Sequence, residues 1–436
     1  MRNTFYLLLV ILVLACSTPK SDQVFVHSDI SNFWNAYDSI RLTKDSLKQL
    51  DLLNRLFIDK ASEGQKAMIE VRNYTPEEYL EAIESYPEFW ESIRPNTLKA
   101  ETHNKEIEKG ILKLKDIYPD LQAADIYYTM GVFRSPGTGF DNFVLIGSEF
   151  ALGDLHTQTK EFTGARSHIK NYYKIDPEKN IQFLSVHEYV HTQQKDAVNN
   201  ILSQCLREGV ADFVASLASG QISPFPAFVF GPAHNERVRA KFEDEMFNFR
   251  AGRNWFWNDD NNEFGASDMG YYVGYAIAKG YYEKASDKAL AIKEMIELDY
   301  TDEPQVEKIV DGSAYFTTSL EELFQKYEAK RPQVVGVEPM ENHGQSIDPK
   351  LSRITIEFSE PMDQRFRNFD YGPLGQEASI QISNVIGFSK DRKSLTFEIQ
   401  PLESDKQYQL TIGNGFMNDK GFPLKPYLID FKTGTK

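Results

Sequence analysis

The chain has 436 residues, too many for one ordinary core, so two or more domains are expected. Its 41% hydrophobic and 26% charged residues are those of a folded protein and exclude extensive disorder. A net charge of −16 with no basic patch excludes a phosphate-binding surface for nucleic acid.

At the start, Arg2 precedes an apolar run from Phe5 to Ala15, too short to span a bilayer and the right length for a secretory signal. It closes on Val13-Leu14-Ala15-Cys16, which resembles a bacterial lipobox. The resemblance implies a signal peptide over 1–15 and lipidation of Cys16 as the first mature residue, anchoring the protein to a membrane. The alternative is an ordinary signal peptide cut near Ala15. Ser17 implies the outer membrane by the usual lipoprotein sorting rule. Residues 16–28 then form a polar tether. Cys205 is left as the sole further cysteine, so no intramolecular disulfide is expected.

From about Asp29 to Tyr118 the pattern is helical. "DSLKQLDLLNRLFIDKA" spaces Leu47, Leu50, Leu53 and Leu56 or Phe57 by three to four. "TPEEYLEAIESY" offers Thr75 as a cap and Pro76 at the first helical position, and a third helix covers roughly Asn104 to Ile117. "ADIYYTMGVFRS" and "FDNFVLIGSEFAL" are strand-like, and "PGTG" between them predicts a hairpin or a pair of sheet strands. Helices return from Asp176 to about Gly220 and across "YYVGYAIAKGYYEKA". The order helices, strands, helices predicts an α+β domain over 29–330.

Past "KRPQ" the period becomes two. Ile354, Ile356 and Phe358 alternate, as do Leu395, Phe397 and Ile399, Tyr408, Leu410 and Ile412, and Tyr427, Ile429 and Phe431. Such strands over 333–436 predict an all-β sandwich. "SRITIEFSEPMD" resembles a signature of bacterial Ig-like domains, a general-purpose module that says little about function.

The chemistry concentrates in "IQFLSVHEYVHTQQ". Asp176 is placed to cap this helix, Pro177 fits its first turn, and the pattern runs on through Gln194. Leu184, His187, Glu188 and His191 then share one face, with Phe183, Val186 and Val190 on another. Imidazoles at i and i+4 can both reach one Zn²⁺, with Glu188 beside them to take a proton from water at the metal. Two solvated histidines on a helix are the bland alternative. Catalytic zinc wants a third protein ligand, and Glu208 in "LREGVADFVASLASG" lies 17 residues beyond His191, room enough for the chain to return antiparallel. Asp212, one turn on, can hydrogen-bond the outer nitrogen of a zinc histidine. Ala211, Ala215 and Ala218 leave space for close helix packing. Cys205 reads as a buried small hydrophobe.

HEYVH followed by Glu208-Gly209-Val210-Ala211-Asp212 resembles the gluzincin metallopeptidases, and within them the predicted zinc-dependent protease lipoproteins, a group similar to gliding-motility lipoproteins. The likeness covers about residues 25 to 330. It implies a zincin-like, mainly helical domain with a small sheet. His187, His191 and Glu208 are the implied zinc ligands, Glu188 the general base, and Asp212 the support for a ligand. An oxyanion donor is also needed. "MGYYVGY" offers Tyr271, Tyr272 and Tyr275, of which Tyr271 and Tyr275 repeat a Gly-Tyr pattern associated with the family, and His234 is a further candidate. Gluzincins also bind extended substrate on an edge strand, a role "NFVLIGSEFAL" is placed to fill unless it is interior.

The expected function is zinc-dependent hydrolysis of peptide bonds in a protein or peptide substrate, at the cell envelope. The rival is a non-catalytic envelope lipoprotein, a scaffold or motility or secretion component on a retained peptidase fold, with the Ig-like domain binding a protein or glycan. An adhesin-like binding protein is a third option, supported by the sandwich alone.

Overall fold

The computed structural model describes residues 23–435. The expected signal peptide, most of the tether and the lipidation residue Cys16 lie outside the described residues. The architecture is mixed α and β, and the chain divides into two compact units. One comprises the described residues up to Gln194 together with Ala211–Pro224; the other comprises Lys195–Val210 and the described residues from Phe225 on.

The first unit opens with β1 (Phe25–Val26) and six helices, α1 (Ser28–Arg41), α2 (Ser46–Leu56), α3 (Glu63–Arg72), α4 (Pro76–Ser85), α5 (Pro87–Thr97) and α6 (Asn104–Ile117). The expected cap on α4 is present and complete. Thr75 Oγ1 accepts from the Glu78 amide, and Glu78 returns a carboxylate oxygen to the Thr75 amide at 3.0 Å. Leu47 is exposed, and α2 instead buries Leu53 with Phe57 just beyond its end. Among the described residues no disulfide staples the unit, and aromatic packing holds it. Phe33, Trp34, Phe57, Trp90 and Phe133 interlock, with Phe33 and Trp90 centroids 4.9 Å apart. Rings arranged edge to face add about 0.5–1.5 kcal/mol per pair beyond the area they bury.

The sheet follows, with β2 (Asp125–Thr129), β3 (Gly137–Phe140) and β4 (Phe143–Gly147) in the order β1-β2-β4-β3. The two strand-like runs form a pair of sheet strands, the second of the two expected arrangements, and not a hairpin with each other. β2 pairs parallel to β4, and the hairpin is β3 with β4, so the "PGTG" stretch expected to be a connection supplies a strand. It also supplies the edge: β4 is interior and β3 is outermost. Two short helices, α7 (Ser148–Ala151) and α8 (Ile169–Tyr172), lead to α9 (Ile181–His191), which carries the HEYVH residues. α9 is shorter than expected. Asp176 takes a left-handed conformation and makes no cap, Pro177 lies in a separate 3₁₀ turn, and the helix stops at His191 rather than Gln194. Nor is it two-faced, because every residue of α9 except Leu184 is buried. α10 (Ile201–Ser219) carries Glu208 and Asp212 and ends at Gly220, whose φ of +73° suits a residue without Cβ.

In the second unit, α11 (Ala227–Ala233), α12 (Asn235–Glu245) and α13 (Gly252–Trp255) precede α14 (Met269–Lys284), then α15 (Lys288–Ile296), α16 (Glu303–Ser313) and α17 (Leu320–Lys330). The early half of α10 meets α14 where Gly209 faces Gly274, and a Cβ on either glycine would overlap the other helix's backbone. The period-two region forms β5 (Val334–Glu338), β6 (Arg353–Phe358), β7 (Phe369–Asp370), β8 (Ile382–Phe388), β9 (Ser394–Ile399), β10 (Gln407–Ile412) and β11 (Tyr427–Lys432). Sheets β5-β6-β9-β8 and β11-β10-β7 are both antiparallel. They share one core that includes Ile354, Ile356, Phe358, Phe397, Leu410 and Phe431, the alternating residues read from the sequence. Among the described residues no helix is long and apolar enough to cross a membrane.

Candidate metal centre

His187 and His191 project from consecutive turns of α9 with their Nε2 atoms 3.0 Å apart and their rings nearly perpendicular. Their other nitrogens are already committed. His187 Nδ1 lies 2.8 Å from Asp212 Oδ1, and His191 Nδ1 lies 2.7 Å from Gln194 Oε1. A carboxylate and an amide oxygen only accept, so each Nδ1 donates outward and the two Nε2 atoms turn toward each other.

Glu208 completes the donor set. One ligand atom each from His187, His191 and Glu208 lie within 4.8 Å of one another, and all three residues are buried. Gln204, one turn earlier on α10, donates to Glu208 Oε1 at 2.7 Å and fixes the carboxylate's orientation. Two imidazoles and a carboxylate, with both outer imidazole nitrogens hydrogen-bonded, match the chemistry of zinc ligation, so the residues present fit this metal. His187, Glu188, His191 and Glu208 keep 7–8% of their surface exposed, whereas Val186, Tyr189 and Val190 around them keep none.

Glu188 lies against the edge strand. Its Oε2 accepts from the Gly139 amide at 2.9 Å. A Cβ at Gly137 would stand 2.7 Å from the Glu188 side chain, and one at Gly139 would stand 2.6 Å from the Glu188 carbonyl oxygen and 2.7 Å from His191 Cβ. Both positions therefore need glycine for close approach. Arg72 secures this strand by donating to Ser135 Oγ at 2.9 Å and to the Gly137 carbonyl at 3.3 Å, and it also bonds Thr138 Oγ1.

The tyrosines expected to supply an oxyanion donor are in the second unit. Tyr271 and Tyr275 lie one turn apart on α14, on either side of Gly274, with rings against Phe256 and Phe228 respectively. Tyr272 is occupied structurally, packing under Gly231 and donating to Asn235 Oδ1 at 3.0 Å. His234 is exposed and stacks on Phe230. Cys205 is wholly buried and bonds the Gly270 carbonyl at 3.1 Å, as a small core residue.

Three neighbours of the site were not singled out from the sequence. Gln194 follows His191 by three residues, a local spacing from which its role was available. Gly139 and Tyr172 were not, because only tertiary structure brings them to Glu188. Burial pushes the Tyr172 phenol up, and the charges of Glu149 and Glu188 push it further.

No family model matches this chain, and no curated protein matches it. Solved structures that match include those of the bacterial S-layer protein SbsC. One covers 63% of this chain at 13% identity with a TM-score of 0.19, and this chain spans 38% of that one. The structure of domains 1–6 gives 14% identity over the same shares and the same TM-score of 0.19. The structure of its N-terminal part covers 93% of this chain and 77% of its own length at 13% identity, with a TM-score of 0.18.

Proposed function

We propose that this chain is an exported, lipid-anchored zinc peptidase of the gluzincin type, with a metallopeptidase domain over 29–330 and an Ig-like domain over 333–436. The observation that carries the reading is the pair of His187 and His191 Nε2 atoms facing each other at 3.0 Å, with Glu208 beside them and each outer nitrogen held by Asp212 or Gln194.

His187 Nε2, His191 Nε2 and a Glu208 carboxylate oxygen would hold the ion. When bound, zinc supplies Lewis acidity toward a carbonyl and acidifies water. Glu188, fixed at Oε2 by the Gly139 amide, accepts the proton from the attacking water and returns it to the leaving amine. Asp212 and Gln194 accept from the outer nitrogens and orient both rings so that Nε2 would face the metal. Tyr271 and Tyr275 remain the candidates for steadying the oxyanion, and Cys16 for the membrane anchor at the outer membrane.

The test is metal analysis of the purified protein, then cleavage of an unfolded protein with and without chelator. One zinc per chain and chelator-sensitive cleavage are expected; a chain that takes up no zinc ends the proposal. Near-complete burial of the ligand side chains favours a second reading, a non-catalytic envelope scaffold that keeps the fold. That reading expects stoichiometric zinc without cleavage.

A further inference from the structure

The edge strand β3 runs Gly137-Thr138-Gly139-Phe140. Its register with β4 sets Gly137 against Ile146 and Gly139 against Val144, and the Gly147 amide bonds the Pro136 carbonyl. By the alternation of an antiparallel ladder, residues 136, 138 and 140 spend their backbone groups on β4, whereas those of Gly137 and Gly139 point off the sheet. An edge of this kind is a template for another extended chain.

Here the template is already filled from within. The outward Gly139 amide donates to Glu188 Oε2 at 2.9 Å, and the outward Gly137 carbonyl accepts from Arg72 at 3.3 Å and from the Ser135 and Thr138 hydroxyls. The glycines themselves are what permit it, since a Cβ at either position would collide with Glu188 or His191. The carboxylate expected to act as base is thus also a cap on the edge expected to bind substrate.

We propose that Gly139 and Glu188 form a latch: an extended peptide that adds to β3 must take the Gly139 amide from Glu188, so arrival of substrate and release of the carboxylate toward the reacting water are one event. The inference deepens the peptidase reading and rests on it. It makes Gly139 a positioning residue, and it assigns β3, not β4, as the substrate strand. A hydrogen bond from a neutral donor to a charged acceptor is stronger than one between neutral groups, so an incoming strand faces about a tenfold or greater penalty in affinity while the latch is closed.

The test uses full-length protein stripped of metal by chelator, and needs no catalysis. Binding of a fluorescein-labelled, reduced and carboxymethylated lactalbumin is measured for the parent and for Glu188→Ala, Glu188→Leu and Glu188→Gln. Removing the acceptor in the first two is expected to tighten binding about tenfold, whereas Glu188→Gln, whose neutral amide oxygen still accepts from Gly139 but more weakly, is expected to fall between them and the parent. Leucine controls for the space that alanine opens, and the melting temperature of each variant confirms folding. Equal affinity across all four proteins overturns the latch, as does a gain for alanine that leucine does not share. Absence of probe binding in all four also overturns it. The peptidase reading stands or falls separately, on zinc content and chelator-sensitive cleavage by the parent.

Discussion

Nδ1 of His187 and Oδ1 of Asp212 lie 2.8 Å apart, tying the helix that carries both imidazoles to the helix on which Glu208 stands one turn before Asp212. Removing this contact should loosen the metal without touching a ligand. Asp212→Ala is expected to weaken zinc binding about 10–100-fold. Competition titration against a fluorescent chelator measures it, and an unchanged zinc affinity would show that Asp212 plays no part in the site.

Glu188→Gln preserves shape and the hydrogen bond from Gly139 but removes the proton acceptor. It is expected to retain one zinc per chain and to lose roughly 10²–10⁴-fold in turnover. His191→Ala should lose both zinc and turnover. Metal analysis beside a cleavage assay separates the two, and full activity in Glu188→Gln would falsify the assigned mechanism.

Gly209→Ala would ordinarily favour a helix by about 1 kcal/mol. At this position the new methyl would overlap the backbone of Gly274 and the Tyr275 amide, atoms that cannot rotate aside. The expected net effect is a loss of about 1–3 kcal/mol or more, seen as a lower urea midpoint. An unchanged midpoint would mean that the two helices do not cross this closely.

Glu149 is completely buried, and that burial raises its carboxyl from 4.5 to about 7 despite amide hydrogen bonds from Gly131 and Phe133. The folded state therefore binds this proton more tightly than the unfolded state. Its contribution to stability is fully present below about pH 4.5 and is lost as the pH rises through about 7. Glu149→Gln, which keeps an acceptor for the Gly131 amide, is expected to remove about 3 kcal/mol of pH dependence across that window. Urea unfolding at several pH values checks it; a variant whose slope matches the parent's would assign the titration elsewhere.

The parts of the fold that the sequence shows well are those with a local period. The capping box of Thr75 and Glu78, the bounds of α6, and the alternation of Ile354, Ile356 and Phe358 arise from neighbours three to four or two residues apart. The start of α9 differs from the expectation because Asp176 and Pro177 have the composition of a cap, but the chain at Asp176 turns left-handed and enters a 3₁₀ turn first. The "PGTG" stretch differs for a related reason. Glycine and proline mark turns in isolation, and here glycine serves a strand pressed against α9.

What the sequence determined by itself is which side chains share a helix face: two imidazoles one helical turn apart and two acids one turn apart, since helix geometry places i and i+4 together whatever surrounds them. What only the tertiary structure decided is which atoms those side chains meet. The parallel pairing of β2 with β4, the place of β3 at the edge of the sheet, and the bond from Gly139 to Glu188 depend on residues tens of positions apart, and their proximity is set by burial and sheet hydrogen bonding rather than by any spacing along the chain.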